Sequence, residues 1–253
     1  MFIMLKPELI EILEELLAIG GNYDIPKALA MRHRFKEFLS RDEQLLGDQD
    51  DENNIIAKDA IRFIDANNSY SNNTNVAEAN VHLNSFFKRL LKQKKWSYYE
   101  LEFFIGSSFL TESVEQAILL GVEAIINCVG FYEKNHIGVL EGVLSANICS
   151  RILHAKYFDD VDNKFYLSEE FKNWFSRLRH LTKEHSKLEL SSLITKIRHA
   201  LFEKNEDLIP QYLQELEAKY SGEIANLINR EVHFYMTSER YFNSSRESKG
   251  GGL

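Results

Sequence analysis

The stretch "KKWSYYELEFFIGSSFL", residues 94–110, decides how the rest of the chain is read. Aromatic and aliphatic side chains fill most of it, two glutamates interrupt them, and Gly106 comes late in the run. Wound as an α-helix, it puts Tyr98, Leu101, Ile105 and Ser108 on one face, with Tyr99, Phe103 and Gly106 on the stripe beside it. A surface helix needs one apolar stripe only, so this pattern predicts a helix covered on both sides, as in the middle of a helical array. Glycine inside a helix costs about 1 kcal/mol relative to alanine, which points to close packing or a groove at Gly106.

Composition sets the frame around this segment. The 253 residues allow one large domain or two small ones, and 44% hydrophobic content is enough for a sizeable core. A net charge of −8 argues against non-specific binding of nucleic acid by the chain as a whole. Cys128 and Cys149 are too few for a secreted disulfide framework, which implies a reducing, cytoplasmic setting. The longest apolar stretch, "AILLGVEAIINCVGFY" (117–132), contains Glu123 and falls short of a bilayer span, so no membrane partner is expected.

Helical periodicity extends in both directions. "KPELIEILEELLAIGG" places Leu9, Leu13, Leu16 and Leu17 on one face, ending at Gly20 and Gly21. "DIPKALAMRHRFKEFLS" starts with Asp24 as a cap and Pro26 in the first turn. Two polar runs, "GDQDDENN" (47–54) and "NNSYSNNTN" (67–75), predict loops that bound an N-terminal helical region, residues 1–66. Beyond them, helices are expected at 76–92, 97–110, 112–134, 137–158, 168–185, 187–205, 207–219 and 222–242, and a disordered tail at 243–253. Short connections make successive helices antiparallel neighbours, and pairs repeating every ~34–45 residues have the period of a helical solenoid. The fold class is therefore all-α, with antiparallel helix pairs in a tetratricopeptide-like array over residues 76–242.

Patterns for catalysis or metal binding are mostly missing. "DDVDNKFYLSEEF" (159–171) opens like a calcium loop, but Lys164, Phe165 and Phe171 occupy positions that an EF-hand gives to a ligand, a glycine and a glutamate. Glu133 and His136 form a single Glu-x-x-His pair, where a di-iron bundle needs two. No glycine-rich phosphate loop and no G-x-S-x-G is present, and no cofactor is called for. The basic run "KRLLKQKK" (88–95) closes a helix, where cations complement the dipole. Arg179 and His185 in "RHLTKEH" have a spacing resembling that of HEPN-type all-α ribonucleases, which leaves an enzymatic alternative open.

"VHLNSFFKRLLKQKKWSYYELEFFIGSSFL", followed by "ESVEQAILLGVEAI" and, later, "LITKIRHALFEKNED", resembles the Rgg/GadR/MutR family of transcription regulators. The residues that carry the resemblance are Trp96, Tyr99, Glu100 and Leu101, and it covers 76 to about 240. It implies a homodimeric, non-enzymatic receptor whose helical repeats hold a short hydrophobic signalling peptide of the quorum-sensing type in their concave face, with transcription as the output; a helical scaffold that binds another protein is the further alternative. The family's N-terminal helix-turn-helix is not evident in residues 1–45, so DNA contact falls to a domain not evident in this chain. Gly106 stands where related sequences tend to carry a polar side chain. A groove for an extended peptide needs polar groups among apolar ones. The candidates are Ser107, Asn147 with Arg151, then Thr195, Lys196 and His199, and finally Arg230 with Tyr235 at the end of the array.

Overall fold

A computed structural model describes residues 5–19, 24–46, 51–159, 164–220, 222–239 and 241. Among the described residues there are eleven α-helices, two short 3-10 turns and no strand. They form two compact units, Met1–Leu110 and Thr111–Leu253. The division falls inside the stretch 76–242, which the sequence groups as one array, and not at the polar runs before it.

The first unit holds α1 (Pro7–Ile19), α2 (Ile25–Leu46), α3 (Glu52–Asn73), α4 (Val76–Leu90) and α5 (Tyr98–Ser107), followed by a 3-10 turn Ser108–Leu110. Leu9, Ile12, Leu13 and Leu16 of α1 are buried, with Ile12 taking the place expected for Leu17. Gly20 and Gly21 lie outside the described residues. Asp24 caps α2 by accepting from the Lys27 N–H at 3.2 Å, and Pro26 follows in the first turn, where its missing N–H costs nothing.

The expected loop at 67–75 is instead the last two turns of α3. Asparagine and serine are poor helix formers, yet Ile64, Ala66 and Tyr70 stay on the core side, and Tyr70 packs edge-on against Phe109 at 4.9 Å. Packing outweighs propensity here. The helix ends at Thr74, whose left-handed φ of 54° stops it, and Asn75 caps α4 by accepting from Ala77 and Glu78 N–H. At the other polar run, Asp51 caps α3 through the Asn54 N–H at 2.9 Å, so residues 52–54 are helical; 47–50 lie outside the described residues.

The 94–110 stretch is covered on both sides, as its pattern predicts: Leu101, Phe103, Phe104 and Ile105 are all buried. Ser97 and Glu100 form a reciprocal capping box at the start of α5, and Trp96 lies edge-on to Phe104 at 5.3 Å. Glu100 also pairs with Arg89 of α4, which pairs in turn with buried Asp59 of α3. Arg89 of the basic run is thus used inside the unit, while Lys88, Lys92, Lys94 and Lys95 are exposed. A Cβ at Gly106 would come within 3.0 Å of the Phe63 ring, so a larger residue there would require the ring to shift.

The second unit holds α6 (Val114–Cys128), α7 (Lys134–Phe158), α8 (Lys164–Glu184), a 3-10 turn Ser186–Leu188, α9 (Glu189–Glu203), α10 (Leu208–Lys219) and α11 (Gly222–Met236). The longest of these, α7, packs on α6, α8 and α9; α9 packs on α10 and α11, and α10 on α11. Gly138 and Gly142, one turn apart on α7, make this possible. A Cβ at Gly142 would lie 2.3 Å from a Leu188 methyl, and one at Gly138 would lie 2.4 Å from His185 Nε2. The turn between α8 and α9 therefore sits directly on the α7 backbone, and Leu188 joins Ala146, Leu178 and Leu181 in a small core.

Candidate functional site

Two features of the second unit combine polar groups with aromatic surface. The first lies at the C-terminal end of α7. Arg151 is 1% exposed. Its Nε donates to the Thr111 carbonyl at 2.8 Å, and its Nη2 donates to the Glu112 carbonyl at 2.6 Å and to Asp159 Oδ2 at 2.5 Å. Nη1 has no hydrogen-bond partner among the described residues. His154, one turn further on, has Nδ1 3.4 Å from Asp159 Oδ1, too long for a good hydrogen bond. Burial holds the His154 imidazole below its ordinary pKa, against the pull of Asp159. Burial also works to raise Asp159, but His154 and Arg151 together bring it below the ordinary carboxylate value. Arg151 and Asp159 are therefore an ion pair at neutral pH, with a neutral imidazole beside them.

The second feature is the outer face of α11. Asn226, Asn229, Arg230, His233, Phe234 and Thr237 line a surface depression of about 550 Å³. Positions 226, 230, 233 and 237 recur at helical spacing, so a single helix face presents them. Phe234 stacks on Phe158 of α7, with centroids 4.7 Å apart and planes 23° apart. Phe158 in turn lies 4.9 Å from the His154 ring, which ties the two features together. Tyr235 is buried behind, 6.0 Å from Tyr157, whose hydroxyl donates to the Leu201 carbonyl at 2.8 Å. A two-pronged pair between Arg198 and Glu231, at 2.8 and 3.0 Å, fixes α11 against α9.

The residues singled out from sequence divide sharply. Arg230 lines the depression and Tyr235 lies buried behind Phe234. Asn147 is half-buried on α7, four residues before Arg151. Ser107 and Thr195 are fully buried, their hydroxyls donating to the carbonyls of Phe103 at 2.6 Å and Ser191 at 2.7 Å. Arg151 is likewise occupied inside the fold. These three are corrected from candidate contacts to internal bonds, because a buried polar group must find a partner within the protein. His199 lies against Phe171 and Phe175 of α8, 5.5 and 4.9 Å away, and the Glu215 carboxyl on α10 is held below its ordinary pKa chiefly by the Lys219 hydrogen bond, with a smaller pull from Lys196. Neither residue lines the α11 depression. Asn226, Asn229, His233 and Phe234 were not singled out, although their spacing in "ANLINREVHFYMT" is visible in the sequence.

The two residues of the ribonuclease alternative sit in different local settings. Arg179 lies over the Phe175 ring at 6.0 Å, while His185 is past the end of α8 and packs on Gly138. Glu133, His136, Glu184 and His185 border a second depression of about 360 Å³, but among the described residues no group of three or more His, Cys, Asp or Glu is placed to hold a metal ion. Nor is any helix among them long and apolar enough to cross a membrane.

No family model and no curated protein matches this sequence.

Proposed function

We propose that the second unit is a receptor for a short hydrophobic peptide, lying along the outer face of α11, in a homodimeric regulator of transcription. The observation that carries this reading is the α11 depression, where two side-chain amides, a guanidinium and an imidazole surround an aromatic ring stacked on α7. Amides and a cation pair with the backbone groups or terminal carboxylate of an extended peptide, and the ring takes an apolar side chain. The order of helix contacts adds support for a tetratricopeptide-like array. In the second unit α7 meets α9 and α9 meets α11, with α8 and α10 packed between successive members; in the first, α1 meets α3 and α3 meets α5. Stacked helix pairs produce this alternation. The resemblance of the Trp96–Leu101 segment to Rgg-type regulators points to the same class, with DNA contact left to a domain not evident in this chain.

Fluorescence polarisation tests the reading, using labelled short hydrophobic peptides from small reading frames beside the gene. Saturable, sequence-selective binding that falls about tenfold or more in Arg230→Ala and in Asn226→Ala/Asn229→Ala supports it. Flat titrations across the panel, or binding indifferent to all three substitutions, would refute it.

A further inference from the structure

Helix α6 has two apolar faces, and the fold uses only one. Val114, Ala117, Leu120, Gly121, Ala124 and Cys128 are buried, and Gly121 lets Ile148 of α7 approach to within 2.9 Å of where a Cβ would stand. On the opposite side Leu119, Val122, Ile126 and Val129 are exposed by 55, 45, 60 and 71%. A helix that is apolar all round belongs in an interior, yet this one leaves several large apolar side chains in water.

The spacing of the exposed side chains is specific. Residues 119, 122, 126 and 129 follow each other at intervals of three, four and three, the seam by which one helix takes another through knobs and holes. Half-buried Ile118 and Ile125 border the seam on one side, with Gln116 and Glu123 on the other. None of these residues lines the α11 depression, so this face is separate from the proposed peptide site and does not depend on it.

Charge selects the occupant. The charged residues of α6 are Glu115 and Glu123, Glu112 stands just before it, and the helix carries neither lysine nor arginine, in a protein with 30 of those two residues. A second copy would set this anionic rim against itself in either helix direction, with no cation between. We propose that the exposed face of α6 seats a partner helix: an amphipathic α-helix with apolar residues at alternating three- and four-residue spacing and lysine or arginine along its flanks. The apolar seam supplies the contact area, and complementary rims select against acidic helices.

The test uses the full chain and two fluorescein-labelled synthetic helices of about three heptads. They share one Leu/Ile seam, and their flanks are Lys in one and Glu in the other. The Lys-flanked helix should bind saturably, weaken about tenfold between ~0.05 and ~0.5 M salt, and lose about tenfold or more on Val122→Ser/Ile126→Ser. Both substituted side chains are exposed, and an unchanged circular dichroism spectrum verifies that the fold is kept. Arg230→Ala should leave this binding intact while removing that of the short peptides, which separates failure here from failure of the receptor reading. Four results would overturn the proposal: no binding of either helix, equal binding of both, binding indifferent to the double substitution, or a wild-type dimer in light scattering that the double substitution disperses. The last would assign the face to a second copy.

Discussion

Replacing Arg151 with alanine separates an internal pin from a ligand contact. The guanidinium makes three hydrogen bonds, two to carbonyls just before α6 and one to Asp159 just after α7. Bonds to a charged group contribute about 1.5–3 kcal/mol each, but Asp159 is partly exposed and recovers some solvation once unpaired. Truncation also leaves a void in a site that is 99% enclosed, since Arg151 is 1% exposed. Removing one partner from a largely buried ion pair typically costs about 3–5 kcal/mol, and we expect that range here. For a unit of this size it corresponds to a fall in melting temperature of ~10–20 °C. Thermal unfolding followed by circular dichroism reads the loss, and hydrogen exchange by mass spectrometry localises it to the start of α6 and the end of α7. A loss below ~1 kcal/mol, with exchange unchanged and peptide affinity abolished, would refute the assignment and return Arg151 to the ligand.

Three further outcomes follow from the packing and electrostatics. Gly142→Ala gains ~0.5–1 kcal/mol of helix propensity but drives a Cβ into Leu188, and overpacking of ~1–3 kcal/mol wins, so the variant melts lower. Combining it with Leu188→Ala should cost less than the sum of the two single changes, a coupling that a double-mutant cycle measures. The folded-state pKa values of His154 and His199 lie below 6.5, chiefly through burial, so the unfolded chain binds protons first as pH falls. Their contribution is therefore complete above pH 6.5 and is lost as pH falls through the lower folded values; His154→Gln/His199→Gln should flatten denaturant midpoints measured across that window. Cys128 and Cys149 are both buried, and burial pushes the Cys149 thiol well above its usual pKa. Neither should react with a thiol reagent in the native protein, and both should react within seconds in denaturant, as followed by absorbance.

The helices were legible in the sequence because their determinants are local. Apolar residues at helical spacing set their faces, and residues such as Asp24 and the Ser97–Glu100 box set their starts. Position 106 was legible for the same reason, since glycine within an apolar helix signals a close neighbour. The end of α3 was not, because its asparagines favour a loop and the packing that keeps its last turns helical is non-local, as where Tyr70 meets Phe109, 39 residues beyond it. The site divides in the same way. Arg151 and Arg230 look alike along the chain, each a cation one turn from an asparagine on an apolar helix. What distinguishes them is distant in sequence: Arg151 meets carbonyls 40 and 39 residues away, while Arg230 lines a surface depression. Sequence by itself determined the all-helical class. Tertiary structure decided which candidate contacts remain open to a ligand, because burial and partner choice arise from non-local packing, which the helical period does not encode.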